Sequence, residues 1–158
     1  MKWIVLLGWL SVCYATALLG GWWTSGELRD WYLSLKRPSF SPPNWVFGPV
    51  WTLLYTLMAV AAWQVWLLPS SPERTKALLL FFVQLGLSVL WTWLFFREHD
   101  LGNALADSFL LWIAVGAETA IFWQIQRSAA WLMAPYWAWV SFALVVNFAY
   151  WRLNPDSN

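Results

Sequence analysis

Charged side chains are scarce in this sequence. They make up 11% of its 158 residues, against about 25% in an ordinary soluble domain. Nine Lys and Arg stand against eight Asp and Glu, a net charge of +1. That leaves no basic surface for a phosphate backbone, so no nucleic-acid partner is expected. Cysteine occurs once, at Cys13, which excludes an internal disulfide and a cysteine-rich metal site. Histidine also occurs once, at His99, in a short polar connection. No metal site and no resident cofactor are expected. No glycine-rich phosphate loop or nucleophile–histidine pair is present. The carboxylates Asp107 and Glu118 are separated by about 16 Å along one helix, too far for a paired acid–base site.

What is abundant is apolar and aromatic surface: 61% hydrophobic residues, 17 of them Trp. Five stretches reach the roughly 20 apolar residues needed to cross a bilayer: residues 3–23, 45–68, 77–96, 101–126 and 129–151. Only the fourth carries charge, at Asp107 and Glu118. Strand-like alternation is absent, which argues against a membrane barrel. The expected fold is an all-α membrane bundle of five helices, residues 1–158, with no separate soluble domain. Lys2, the first apolar run and "ATA" at 15–17 resemble a signal peptide, and "LSVC" before Cys13 loosely resembles a lipoprotein cleavage site. The run continues through Trp23, which suits a retained span. Five spans put the termini on opposite sides. Lys2, Arg74, Lys76 and Arg127 fall on one side and Arg29, Lys36, Arg37, Arg97 and Arg152 on the other, so cation bias assigns no orientation.

The first connection, Thr24 to Asn44, is far longer than the others, as functional loops often are. It leads into "LKRPSFSPPNWVFGPVW" (35–51). Proline fixes its own φ and biases its predecessor toward extended backbone. Pro38, Pro42, Pro43 and Pro49 are therefore expected to stiffen a lid, with Asn44 capping the second span. Phe40, Trp45 and Phe47 would form its apolar underside.

Helical spacing groups the polar and aromatic residues into stripes: Trp51 and Tyr55; Gln84, Ser88 and Trp91; Asn103, Asp107, Leu110, Ala114 and Glu118; Trp139, Ala143, Val146, Asn147 and Tyr150. Trp51 lies about 9 Å below Trp45, and the stripes of four spans gather in the loop-side half of the bilayer. They either lock the bundle by satisfying one another or line a pocket for a flat, apolar ligand. Asp107 is expected to cap or brace a neighbouring helix rather than relay protons. Glu118 is left open between the pocket floor, a polar partner and a protonated acid. Trp3, Trp22, Trp23, Trp45, Trp66, Trp131 and Trp151 suit an interfacial belt.

"DWYLSLKRPSFSPPNWVFGPVWTLLY" (30–55) strongly resembles the first loop and second helix of the tryptophan-rich sensory protein family, also called the translocator protein or peripheral benzodiazepine receptor family (TspO/MBR). Trp31, Tyr32, Leu35, Pro38, Phe40, Pro42, Pro43, Trp45, Trp51, Leu54 and Tyr55 fit its pattern. "QLGLSVLWTWLFF" (84–96) resembles its third helix and "PYWAWVSFALVVNFAYWRLN" (135–154) its fifth. The resemblance implies five membrane helices, a homodimer, and a loop-covered pocket for porphyrins such as protoporphyrin IX, haem-related tetrapyrroles, benzodiazepine-type compounds or sterols. Carried over by position, the pocket would comprise Trp51, Trp91, Trp139, Ala143 and Val146, with Asn103, Ala106 and Leu110 from the fourth span. Tyr55, Ser88, Asp107 and Asn147 join it from the stripes. Trp31, Pro38, Phe40, Pro42, Pro43 and Trp45 would belong to the lid.

Three functions follow from the resemblance: a receptor or carrier for tetrapyrroles, a light-dependent porphyrin-degrading enzyme acting through Trp51 and Trp139, or a sterol-handling protein. Ser88 stands where many members have Asn, which alters hydrogen bonding to a ligand carbonyl. Phe148 stands at the Tyr of the sterol motif, although Val146, Tyr150 and Arg152 still satisfy its loose pattern. Gly86, Gly116 and Ala120 offer small faces for helix approach.

Overall fold

The computed structural model describes residues 1–27 and 31–155. Arg29, counted with the loop-side cations, and Asp30, which begins the resembling stretch, lie outside the described residues. All regular structure among the described residues is helical: α1 (Lys2–Glu27), α2 (Trp31–Ser34), α3 (Asn44–Trp66), α4 (Pro72–Thr92, continued by a π-helical turn Trp93–Arg97), α5 (Leu101–Ile125) and α6 (Arg127–Leu153). The five long helices are long and apolar enough to cross a membrane, and each satisfies its own backbone within the span.

Their ends differ from expectation for local reasons. α4, the third span, starts at Pro72 rather than 77, because Ser71 Oγ accepts the Arg74 N–H at 3.1 Å and Pro72 occupies the first turn, where no N–H is needed. Asn44 does not cap α3. It is the first helical residue, Pro43 holds the cap position, and no side chain caps the end. Pro49 likewise lies inside α3 rather than in the loop. Only Gln126, not Arg127 and Ser128, separates α5 from α6. The first helix extends to Glu27, which shortens the first connection.

Among the described residues, positive φ occurs only in the turn after α4. His99 adopts φ 58°, while the Glu98 and Asp100 N–H groups bond back to Trp93 and Leu94 carbonyls. This left-handed closure stops the helix. Asp100 then caps α5, its Oδ1 accepting the Asn103 N–H at 2.9 Å.

The helices form a closed ring: α1 beside α3, α3 beside α6, α6 beside α5, α5 beside α4, and α4 back beside α1. Two packed regions fill it. In the half away from the loop, Met58, Val65, Phe81, Phe122, Met133 and Tyr136 are buried among all five helices' side chains. On the loop side, Tyr32 and Leu35 pack with Phe95, Phe96, Leu101 and Tyr150. Gly116 is not a free face for another helix, since a Cβ there would meet the Trp137 ring at 3.2–3.3 Å. Gly86 is exposed, with open space around it.

Candidate ligand-binding site

Between these two regions the ring encloses a cavity of about 460 Å³, within the range of small-molecule pockets, roughly 300–1,000 Å³. Three indoles stand on its wall, each from a different helix: Trp51 on α3, Trp91 on α4 and Trp139 on α6. Each is held by other rings. Trp51 packs at 5.5 Å on Tyr55 and edge-on to Tyr136, and Trp139 meets Phe47 edge-on at 6.0 Å. Trp91 lies 5.3 Å from Phe95 and edge-on to Phe96. Such contacts fix ring planes and leave the remaining faces for a ligand.

The polar groups of the wall are few. Tyr55 and Ser88 hydroxyls lie 3.4 Å apart. Asn147 Nδ2 donates to Ser108 Oγ at 2.9 Å, and that hydroxyl donates to the Ala104 carbonyl. Two buried atoms on wall residues have no partner among the described residues: Trp91 Nε1, a donor, and Asn147 Oδ1, an acceptor. Unpaired buried polar atoms are rare in native proteins and ask for an explanation.

The span-four residues are arranged differently from expectation. Ser108 and Leu111 line the cavity, whereas Asn103, Ala106, Asp107 and Leu110 do not. Asn103 is committed to the start of α5, where its Nδ2 donates to Asp100 Oδ2 at 2.7 Å. Leu110 is 54% exposed on the outer surface. Ala106 faces a shallow outer groove between α5 and α6. Asp107 neither caps nor braces a neighbour, since its buried carboxylate has no hydrogen-bond partner among the described residues. Glu118 is fully buried, away from the cavity wall, and equally without a hydrogen-bond partner. Ala143, Val146 and Asn147 lie on the wall as their α6 spacing suggested, with Tyr150.

The lid closes the loop end through side chains of α6. Tyr150 donates its hydroxyl to Tyr32 at 2.9 Å and lies 3.3 Å from Ser41 Oγ. Burial pushes the Tyr32 phenol above its ordinary pKa. Trp31 stacks on His99 at 4.1 Å, Arg37 donates to the Pro42 carbonyl, and Pro38 is buried at a turn closed by the Ser41 N–H. Pro42 and Phe47 reach the cavity. Phe40 and Trp45, expected underneath, point outward at 50% and 75% exposure, and Pro43 is also exposed.

The sterol-motif residues divide between two faces. Val146 and Tyr150 are buried on the cavity side. Phe148 and Arg152 are exposed, with the guanidinium 6.0 Å from the Phe148 ring.

Sequence reasoning missed the wall contributed by α1: Tyr14, Ala17, Gly20, Gly21 and Thr24. Their spacing of three to four residues marks a helix face of small and hydroxyl-bearing side chains in an otherwise bulky span.

Known proteins resemble this chain in sequence. The TspO/MBR family profile matches residues 9–152. The human translocator protein is 34% identical over 154 residues, covering 96% of this chain and 91% of its own. The tryptophan-rich sensory protein of Cereibacter sphaeroides is 37% identical over 154 residues, covering 98% and 94%. Protein CrtK of Rhodobacter capsulatus is 40% identical over 126 residues, 79% of each chain. A bundle of five membrane-spanning helices with a family match across nearly its whole length is an integral, multi-pass membrane protein of the TspO/MBR family.

Proposed function

We propose that the cavity binds a tetrapyrrole, protoporphyrin IX or a haem-related porphyrin, and that the protein acts as a membrane receptor or carrier for it in stress signalling or porphyrin traffic. The observation carrying this reading is the pairing of three wall indoles with two partnerless polar atoms, Trp91 Nε1 and Asn147 Oδ1. A flat macrocycle matches the indoles. Its carboxylates can accept from Trp91 and its pyrrole N–H groups can donate to Asn147. Benzodiazepine-type compounds, flat and carbonyl-bearing, share these requirements. Relatives named for translocation and for sensing agree with a carrier or receptor role. The functional unit is proposed to be a homodimer, measurable by crosslinking in the membrane.

A second reading, light-dependent porphyrin degradation, is favoured by the presence of both Trp51 and Trp139 on the same wall. A photoexcited porphyrin can take an electron from an indole and pass it to dioxygen. The resulting oxidants would then be held against the macrocycle, and placement rather than acid–base chemistry would be the protein's contribution.

Titration with protoporphyrin IX in darkness, followed by tryptophan fluorescence, tests the first reading. Saturable quenching at micromolar ligand is expected, and its absence would remove both readings. Illumination then separates them. Degradation requires loss of the porphyrin band to a defined product and slower loss in Trp51→Phe and Trp139→Phe. Bleaching at the parent rate in both variants would leave binding alone.

A further inference from the structure

The cavity wall is uneven in its exposure. Its α4, α5 and α6 residues are buried or half-buried, whereas Gly21 and Ser25 on α1 and Asn44, Gly48 and Thr52 on α3 are exposed. All five lie along the seam between α1 and α3. We propose that this seam is a lateral portal through which an apolar ligand passes between the bilayer and the cavity. The inference rests on the binding reading above.

The seam is pinned elsewhere. At the far end Trp3 stacks on Trp63 at 5.7 Å, and Trp63 Nε1 donates to the Lys2 carbonyl. Midway, the Tyr14 and Thr56 hydroxyls lie 2.6 Å apart. Beyond that point the facing residues become small. A Cβ added at Gly21 or Gly48 would meet nothing within 4 Å, whereas one at Gly20 would touch Thr92 of α4. The helices thus hold together below the slit, and α1 is braced from behind, while at Gly21 and Gly48 the slit has open space.

Its chemistry suits lipid-dissolved cargo. The Ser25 hydroxyl donates to the Trp22 carbonyl and the Thr52 hydroxyl to the Gly48 carbonyl. Both hydroxyls are satisfied within their own helices, so an apolar molecule passing them strands neither donor. The outer rim carries exposed Leu18, Trp22, Trp45 and Leu53. Gly48 and Thr52 lie about 6 and 12 Å below the start of α3. That depth and rim place the opening in the loop-side leaflet rather than in water.

The test uses the full-length protein in lipid nanodiscs, with protoporphyrin IX as probe and stopped-flow tryptophan quenching as readout. Gly48→Trp and, independently, Gly21→Phe are expected to slow association by about tenfold. Gly8→Trp, an exposed glycine on α1 away from the cavity, is expected to retain parent rates. At fixed total porphyrin, diluting it with extra lipid should slow association in proportion to its mole fraction in the bilayer. If parent protein binds but both slit variants keep parent rates, the portal is wrong and the binding reading stands. Rates that follow the aqueous concentration would move the entrance to the lid and overturn the portal. No binding by parent protein would overturn the binding reading and the portal with it.

Discussion

The side-chain amide of Asn154 brackets the backbone of Lys36. Its Oδ1 accepts the Lys36 N–H at 2.8 Å and its Nδ2 donates to the Lys36 carbonyl at 3.1 Å. The same Nδ2 donates to the Tyr150 carbonyl at 2.9 Å. One residue at the end of α6 therefore fixes both the loop and the last turn of its own helix. Asn154→Ala strands the Lys36 N–H and carbonyl, while the Tyr150 carbonyl keeps the backbone N–H of residue 154, and is expected to cost about 1–3 kcal/mol. Hydrogen exchange should rise at residues 35–41 and remain unchanged in the far half of the bundle. Unchanged exchange at 35–41 would show that the clamp does not hold the lid.

Trp91→Phe retains a ring on the cavity wall and removes the one fully buried indole N–H without a partner among the described residues. If that N–H receives a ligand carboxylate, the variant should weaken protoporphyrin IX by about 1.5–3 kcal/mol, the scale of a hydrogen bond to a charged group. The dimethyl ester, with no ionised carboxylate, should lose less. Paired titrations of the two porphyrins check this, and equal losses would show that the N–H serves another contact.

Ser88→Asn lengthens a wall side chain whose hydroxyl lies 3.4 Å from that of Tyr55. The amide adds a donor toward the cavity. An amide-bearing benzodiazepine-type ligand is expected to bind about fivefold more tightly, equivalent to one net hydrogen bond of roughly 1 kcal/mol. Competition against bound porphyrin measures the shift.

Glu118 sits in the packed half with both carboxyl oxygens unpartnered among the described residues. An ionised acid there would be costly. Glu118→Gln, equal in shape and uncharged, is expected to change stability by less than about 0.5 kcal/mol or to raise it. Glu118→Ala leaves a cavity in a fully buried position and should cost about 2–4 kcal/mol. Thermal unfolding in detergent compares them, and a loss with Gln as large as with Ala would mean that the ionised acid is required.

Much of the site could be read before the structure because α3, α4 and α6 are regular over the relevant turns. Trp51 and Tyr55, Ser88 and Trp91, and Trp139 through Asn147 reach one cavity through helical periodicity. The same reasoning misjudged α5. Asn103, Asp107 and Leu110 form a stripe, but Ser108 and Leu111, one position further on, face the cavity. One residue is about 100° of rotation around a helix. Polarity alone did not settle that rotation, because Asn103 is held by the Asp100 cap and Asp107 is buried elsewhere. The lid shows a related gap. Proline predicts stiffness, but it does not say which way Phe40 and Trp45 point. The α1 wall escaped notice because Ala17, Gly20 and Gly21, which make up its middle, carry no chemical signal of their own.

The connections between helices have a mechanical consequence. Residues 67–71 join α3 to α4, 98–100 close the turn before α5, and Gln126 alone joins α5 to α6. Those helices are leashed too tightly to slide far past one another. α1 is the least buried of the five spans and reaches α3 only through the longest connection. Four helices are thus kept in order by short covalent links, whereas the place of α1 depends on what it touches, above all the contacts it makes with α3 at Trp63 and Thr56.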